Sequence, residues 1–296
     1  MTAEAPDTVV VEARAKVNLF LRVLGRRSDG YHELETLIVP IDLSDRLEIH
    51  ARSDPEQFRT LALSLEVSGD QDLLRGVPVD ESNLVMTAAR SLADAAGARG
   101  FADITLHKRV PAAAGLGGGS ADAAATLRAL NDVWSCHMDE EGLRRVGETV
   151  GSDVPPLLVG GAAVARGRGE LVAPARVRPL ELALITFPFG ISTADAFRWW
   201  DEDDGPPGPD PTPVLDAAKR AVPATLGGLV YNDLEDVVIR RHPAIGEARQ
   251  QLLDAGAAGV VMCGSGPTLA ALLSSNRSFE PPGGLPVRIV RTATMT

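Results

Sequence analysis

The chain has 296 residues, enough for one large domain or two ordinary ones, and its 45% hydrophobic and 23% charged content is that of a soluble globular protein. A net charge of -11 argues against a general nucleic-acid or anionic-membrane surface, because the long-range field opposes phosphate; any anionic ligand must be held by local chemistry. Cys136 and Cys263, the only cysteines, are too few for a disulfide framework, lack metal-ligand spacing and read as small core residues.

The opening MTAEAPDTVV lacks a basic region followed by an apolar core, and no apolar run approaches the ~20 residues of a membrane helix, so the expected location is the cytoplasm. Val9, Val11, Ala13, Ala15, Val17, Leu19, Leu21 and Val23 then alternate along a long strand or hairpin arm, leaving Arg14, Lys16 and Asn18 on the opposite face. SDGYHEL carries an Asp-Gly turn signal, and strand character resumes through LETLIVPIDLSDRLEIH to His50. Ser82 or Asn83 can start a helix over LVMTAARSLADAAG that ends near Gly97. FADITLHKRV reads as a strand, with Ile104 and Leu106 alternating with Thr105 and His107.

The stretch PAAAGLGGGSADAAATLRALNDVW, Pro111 to Trp134, places Gly115, Gly117, Gly118 and Gly119 ahead of a helix whose stripe is Leu127, Leu130 and Trp134 at i, i+3 and i+7. Glycine removes Cβ where helix-initial amides lack partners, and the helix dipole adds about half a positive charge there, so phosphate is the leading ligand. A tight turn with close helix packing is the alternative. No Gly-Lys pair follows, as a Walker A loop needs, and Ser120 stands where a dinucleotide fingerprint needs glycine. This is a phosphate loop of another kind.

DEEGLRRVGETVG predicts a helix closed by Gly151 and by the prolines of SDVPP. LLVGGAAVARGRGELVAPA reads as a strand pair, LELALITFPFGIST as a buried strand running into a turn, and DEDDGPPGPDPTP as a mobile acidic surface loop. Helices follow around LEDVVIRR and PAIGEARQQLLDAG; GVVMCGSGPTLAALL reads as strand, glycine turn, strand, and PVRIVRTAT as a last strand. The mixture is α+β, without internal repeat, and divides near residues 165 to 178.

Basic residues are almost all arginine; Lys16, Lys108 and Lys219 are the lysines. A compact ammonium inside the first strand can sit beside a reacting oxygen, or Lys16 can be a partly exposed residue of a sheet face, with Asn18 sharing that face. Asp153, ahead of the proline pair in backbone expected to be extended, can orient a hydroxyl proton in phosphoryl transfer or simply make turn hydrogen bonds. CGSGPT, on its own, can be a plain hairpin. With 4% aromatic residues, Tyr31 beside His32 and Phe197 after GIST stand out.

AKVNLFLRVLGRRSDGYHELET, PAAAGLGGGSADAAATLRALN and GSGPT, in that order, resemble the three motifs of the GHMP kinase family. With GSDVPP, the resemblance is nearest to the branch that phosphorylates the 2-hydroxyl of a cytidine-diphosphate-linked methylerythritol in the non-mevalonate isoprenoid pathway. It runs over nearly the whole chain and is weakest from Asp201 to Pro213 and in the helix after it. It implies a two-domain α+β fold: a domain over 1–170 of the ribosomal protein S5 domain 2-like type that binds ATP, a ferredoxin-like α/β sandwich over 171–296, and an active site in the cleft between them.

The resemblance implies that Lys16 and Asp153 are the catalytic pair, Asp153 acting on the substrate hydroxyl and Lys16 holding and polarising it. Pro111, Ala112, Ala113, Ala114, Gly115, Leu116, Gly117, Gly118, Gly119, Ser120 and Ala121 would cradle ATP phosphates, with Mg²⁺ offsetting their charge and Asn83 and Lys108 near the adenine. Tyr31 and Phe197 would sandwich the cytosine, His32 would read its edge, and Asn18 and Thr193 would line the substrate pocket. The metal ligands are not implied. Some relatives carry glycine or serine at Ala112 to Ala114 and Ala121, and alanine suits the loop where its dihedrals stay favourable. The partners implied are small molecules, with neither nucleic acid nor membrane. A homoserine or mevalonate kinase has no evident use for the aromatic-His pair of DGYHEL, and a non-catalytic nucleotide-binding regulator would need neither Lys16 nor Asp153.

Overall fold

The computed structural model describes residues 7–54, 56–220, 222–274, 279–280 and 288–295. Strand β1 (Asp7–Arg26) is followed by β2 (His32–Ser53), β3 (Leu61–Gly69), the short helix α1 (Gln71–Leu74), α2 (Leu84–Ala96) and β4 (Gly100–Lys108). Helices α3 (Gly118–Val133), α4 (Glu140–Val150) and α5 (Val154–Leu157) lead to the hairpin of β5 (Ala163–Gly167) and β6 (Leu171–Pro174), then β7 (Glu181–Thr186). The remainder is α6 (Thr193–Glu202), α7 (Thr212–Arg220), α8 (Pro223–Gly227), β8 (Tyr231–Asn232), α9 (Glu235–Arg241), α10 (Pro243–Asp254), β9 (Gly259–Met262), β10 (Leu269–Leu272) and β11 (Arg288–Ala293). No helix among the described residues is long and apolar enough to cross a membrane.

Two compact units share these elements, and neither is continuous in sequence. Residues 1–15, 43–112 and 118–159 form the first; 16–42, 113–117 and 160–296 form the second. The expected division at 170/171 is a partition along the chain, whereas β1 and β2 each contribute to both units.

In the first unit the strand order is β3-β4-β2-β1, with β3 parallel and β2 antiparallel to β4. Helices α2, α3 and α4 supply the apolar stripes that cover it. Leu127, Leu130 and Trp134 are all buried, as their spacing predicts, and the Trp134 indole N–H reaches the carbonyl of Phe101 at 3.3 Å. Asn83 is the N-cap of α2, its Oδ1 accepting from Val85 N at 2.9 Å, and Gly97 ends that helix in the left-handed conformation with φ 70°.

In the second unit β11-β7-β10-β9 form an antiparallel sheet. Its apolar face meets Trp200, Val237, Ile245 and Leu252 from α6, α9 and α10. Strand β2 pairs there with β5, and β8 runs parallel to β1 through Phe20↔Tyr231 and Leu21↔Asn232.

Four expectations are corrected. On the polar face of β1 Arg14 is exposed, but Lys16, Asn18 and Phe20 are as buried as Ala15, Val17, Leu19 and Leu21 on the other. Asp153 lies not in extended backbone but at φ -85°, ψ -6°, capping α5; prolines at the first positions of a helix cost it no hydrogen bond, so the pair opens a helical turn. The acidic run is tied down: Asp203 accepts from Arg240 and Arg241, which hold its carboxyl far below the usual range, Gly208 N donates to Asp233, and Tyr231 donates to the carbonyl of Pro209. Cys136 is only half-buried, whereas Cys263 is core.

Candidate functional site

The second unit holds Lys16 in a fixed polar frame. Its Nζ donates to Asn18 Oδ1 at 2.8 Å and to the carbonyl of Gly115 at 3.0 Å. Asn18 is locked in turn: Oδ1 also accepts from Gly264 N at 2.9 Å, and Nδ2 donates to Thr36 Oγ1 at 2.8 Å, whose hydroxyl donates to the carbonyl of Phe20. All three side chains are buried. A buried amino group given oxygen partners is held in one position, whereas a surface lysine samples many. Asn18, expected to line a pocket, is here the residue that holds Lys16.

The glycine loop divides between the units. In the second, Leu116 carbonyl accepts from Lys16 N at 2.9 Å, and Gly115 (φ 76°) and Gly117 (φ 68°) take left-handed backbone. A Cβ on Gly115 would overlap the carbonyl of Cys263, and one on Gly117 would come 2.9 Å from Lys16 Cε, so glycine is required at both. Ala113 adopts φ 49°, the strained region for alanine, and its carbonyl accepts from Ile191 N. Ala114 is buried and Leu116 packs fully into the interior. The GSGPT turn thus packs backbone to backbone on this segment, and burial pushes the Cys263 thiol up to about 12 although Lys16 opposes the shift.

In the first unit Pro111 and Ala112 are half-buried and lead out of β4, while Gly118, Gly119, Ser120 and Ala121 form the first turn of α3 with Gly119 exposed. A Cβ on Gly118 would stand 3.5 Å from Lys108 Nζ. That ammonium is buried and pairs with Asp45 and with Asp122 Oδ2, the latter at 2.9 Å. Asp45 also accepts from Arg109 N and Val110 N, fixing the chain that leaves β4. Burial lowers the affinity of Lys108 for its proton, but Asp122 and Asp45 outweigh it and the net shift is upward. Burial raises Asp122 to about 7 against the pull of Lys108, with Asp45 adding to the rise. Lys108, expected near an adenine, has its ammonium committed to these carboxylates, and Asn83 has its Oδ1 committed to the α2 cap and its Nδ2 to the carbonyl of Pro78. Asp153 is half-buried at the start of α5.

Back in the second unit, His32 and Phe197 are brought together, stacked at 4.7 Å between centroids. His32 Nε2 lies 2.8 Å from Asp201 Oδ1, and Trp200 meets the imidazole edge-on. Tyr31, 52% exposed, carries the Arg168 guanidinium 4.4 Å from its ring centre. Thr193 is exposed at the start of α6, its hydroxyl 3.2 Å from that of Ser265 in the glycine turn. The ring partner of Phe197 is His32 and that of Tyr31 is a cation. Sequence reasoning missed Thr36, Asp45, Asp122, Arg168, Asp201 and Asn232; Asp201 lay in a run that reads as loose loop, and a threonine or aspartate in a strand or alanine-rich helix carries no periodic mark.

Comparison with known proteins accords with this frame. Residues 83–161 match the GHMP kinases N terminal domain and residues 214–280 the GHMP kinases C terminal family. The 4-diphosphocytidyl-2-C-methyl-D-erythritol kinase of Pelotomaculum thermopropionicum is 43% identical over 270 residues, 90% of this chain and 89% of that protein. The enzyme of that name from Alkaliphilus metalliredigens is 37% identical over 88% of this chain and 86% of its own. A crystal structure of 4-(cytidine 5'-diphospho)-2C-methyl-D-erythritol kinase superposes with a TM-score of 0.75 at 33% identity, covering 97% of this chain and 99% of that one. With glycines that admit no side chain, a lysine held by Asn18 and Gly115, and this likeness along the whole chain, the protein belongs to the 4-diphosphocytidyl-2-C-methyl-D-erythritol kinases of the GHMP kinase superfamily.

Proposed function

We propose that the chain transfers the γ-phosphoryl group of ATP to the 2-hydroxyl of 4-diphosphocytidyl-2-C-methyl-D-erythritol, giving the 2-phosphate and ADP, in the cytoplasmic supply of isoprenoid precursors by the methylerythritol phosphate pathway. The observation that carries this reading is Lys16 Nζ, buried and held at 2.8 and 3.0 Å by Asn18 and Gly115 next to glycine backbone that excludes side chains.

Lys16 holds and polarises the hydroxyl while Asp153 accepts or orients its proton. The loop from Pro111 to Ala121 binds the phosphates through main-chain amides, with the first turn of α3 contributing its unpaired N–H groups and dipole. Asn83 and Lys108 shape the adenine end through the α2 cap and the Asp45–Lys108–Asp122 cluster. Tyr31 and Phe197 stack the cytosine, His32, oriented by Asp201, reads its edge, and Thr193 contacts the substrate. The linear halves 1–170 and 171–296 are the ATP-binding and C-terminal domains of the family.

Mg²⁺, when bound, would offset the negative charge of the ATP phosphates. Among the described residues no group of three His, Cys, Asp or Glu side chains is placed to hold a metal ion, and Mg²⁺ in general binds through one or two carboxylates with substrate phosphates and water.

Asp153→Asn tests the assignment. Turnover should fall by ~10²-fold or more, the scale of a lost acid-base group, with ATP binding nearly intact. Unchanged turnover overturns the role of Asp153. Offered alongside the cytidylyl substrate, free methylerythritol monophosphate, homoserine and mevalonate should react poorly, because binding energy from the remote base positions the reacting hydroxyl.

A further inference from the structure

Asn232, at the end of the two-residue strand β8, belongs to no motif that the sequence reading singled out, yet it is buried and every polar group on its amide is used. Nδ2 donates to the carbonyl of Met262 at 2.8 Å and to the carbonyl of Gly264 at 2.7 Å, while Oδ1 accepts from Leu234 N at 2.9 Å. The partners settle the orientation of the amide, since two carbonyls must face N–H groups and a backbone N–H must face oxygen. One side chain therefore clamps the glycine turn on either side of Cys263. The amide of Gly264, on the same residue that Asn232 grips, donates to Asn18 Oδ1 at 2.9 Å, and that oxygen also receives the Lys16 ammonium at 2.8 Å. Gly264 sits close enough that a Cβ on it would lie 3.0 Å from Lys16 Nζ.

We infer that Asn232 is a positioning residue for phosphoryl transfer, holding the 262–264 turn so that Gly264 N–H and Asn18 together fix the Lys16 ammonium. The inference rests on the proposed role of Lys16. Asn232 has no free polar group to offer a ligand, so its effect passes through the backbone of Gly264. A shift of the turn leaves Asn18 Oδ1 with one donor in place of two, and the ammonium then follows the amide. Interactions realised in the transition state are the ones that such a displacement weakens, and their loss appears in kcat rather than in KM.

The test uses the full-length enzyme. Asn232→Asp keeps the volume and the acceptor for Leu234 N but turns a carboxylate oxygen toward the two carbonyls; Asn232→Ala removes the clamp without adding charge. Both should lower kcat by about tenfold or more with KM for ATP and for the alcohol within about twofold, the pattern of a lost transition-state contact. In an Asn18→Ala background the same Asn232 changes should cost less than about threefold, because the two residues act in one chain. Circular dichroism and urea titration identify any variant that is unfolded, and the alanine form keeps the test open if the aspartate form is one. A folded Asn232→Ala enzyme with kcat within about twofold of wild type overturns the inference, as does full additivity with Asn18→Ala. Lys16→Ala run in parallel separates the two ideas: retained turnover there removes the Lys16 reading itself, whereas an inactive Lys16→Ala beside an unimpaired Asn232→Ala removes only the positioning role.

Discussion

Lys108 Nζ donates to Asp122 at 2.9 Å while also pairing with Asp45, so one buried ammonium serves two buried carboxylates at the foot of α3. Two anions against one cation leave an excess of negative charge in a region of low dielectric, and Asp122 Oδ1 has no hydrogen-bond partner. Protonation of Asp122 removes the excess charge.

Stability should therefore depend on pH through Asp122. Its carboxyl is raised from 3.8 to about 7 by burial, against Lys108 and with Asp45. The folded state takes up a proton that the unfolded chain has released, so this contribution is full below about pH 4 and is lost as pH rises through about 7. Asp122→Asn, which mimics the protonated acid, should flatten that part of the curve. Urea titrations of both proteins between pH 5 and 8 check it, and parallel curves would sink the assignment.

Removing the shared cation is the harsher change. Lys108→Met leaves Asp45 and Asp122 facing each other without a counter-charge and should destabilise the protein by about 3 kcal/mol or more, the cost of breaking a buried pair from one side. A melting temperature within a degree or two of wild type would show that the carboxylates find other partners.

Ala113 sits at φ 49°, where glycine is at ease and a β-branched residue is not. Ala113→Gly should match or exceed the wild type in stability, and Ala113→Val should lose more than ~1 kcal/mol. Equal unfolding midpoints for the two variants would contradict the strain.

The loop glycines separate binding from chemistry. A Cβ on Gly118 meets Val110 at 3.0 Å, so valine there confounds packing with phosphate binding, whereas Gly119 faces only Leu84 Cδ1 at 3.4 Å. Gly119→Ala should fold normally and weaken ATP binding by about tenfold, because on the proposed reading the methyl group would stand where phosphate meets the first turn of α3. Calorimetry returning the wild-type affinity would be the contrary result.

For the base, Phe197→Ala removes the ring stacked on His32 at 4.7 Å. It should reduce kcat/KM for the cytidylyl substrate by about tenfold or more while KM for ATP holds, in line with ~1–3 kcal/mol per stacked base. Asp201→Asn, which alters the partner of His32 Nε2, should act in the same direction and less strongly. Equal losses against both substrates would move these residues out of base recognition.

Elements with a strong period were legible from sequence. The stripe of α3, the caps Asn83 and Gly97 and the Asp-Gly turn all express local rules, and the structure obeys them. Strand β3 carries the alternation Leu61, Leu63, Leu65, Val67 just as plainly and went unread, since four half-buried residues at a sheet edge resemble a loop between charged stretches. The polar members of the site were legible only in part. Lys16 stood out by its rarity among arginines, but its framing by Thr36, Asn18 and Gly264 depends on pairings between strands and turns far apart in sequence. Asp153 shows the opposite failure: the rule for residues before proline is local, and the tolerance of a helix start for proline overrode it.

The hydrogen bond from Gly264 to Asn18 spans 246 positions of the chain. A ribosome adds about 5–20 residues each second, so the first strand waits many seconds for the turn that completes the surroundings of its lysine. During translation, Lys16 and Asn18 are buried polar groups in prospect only, and on the proposed role of Lys16 the protein should be catalytically silent until Gly264 has been added. Chains clipped before residue 259 lack β9 and the glycine turn, so they should retain no turnover however well their first helices form.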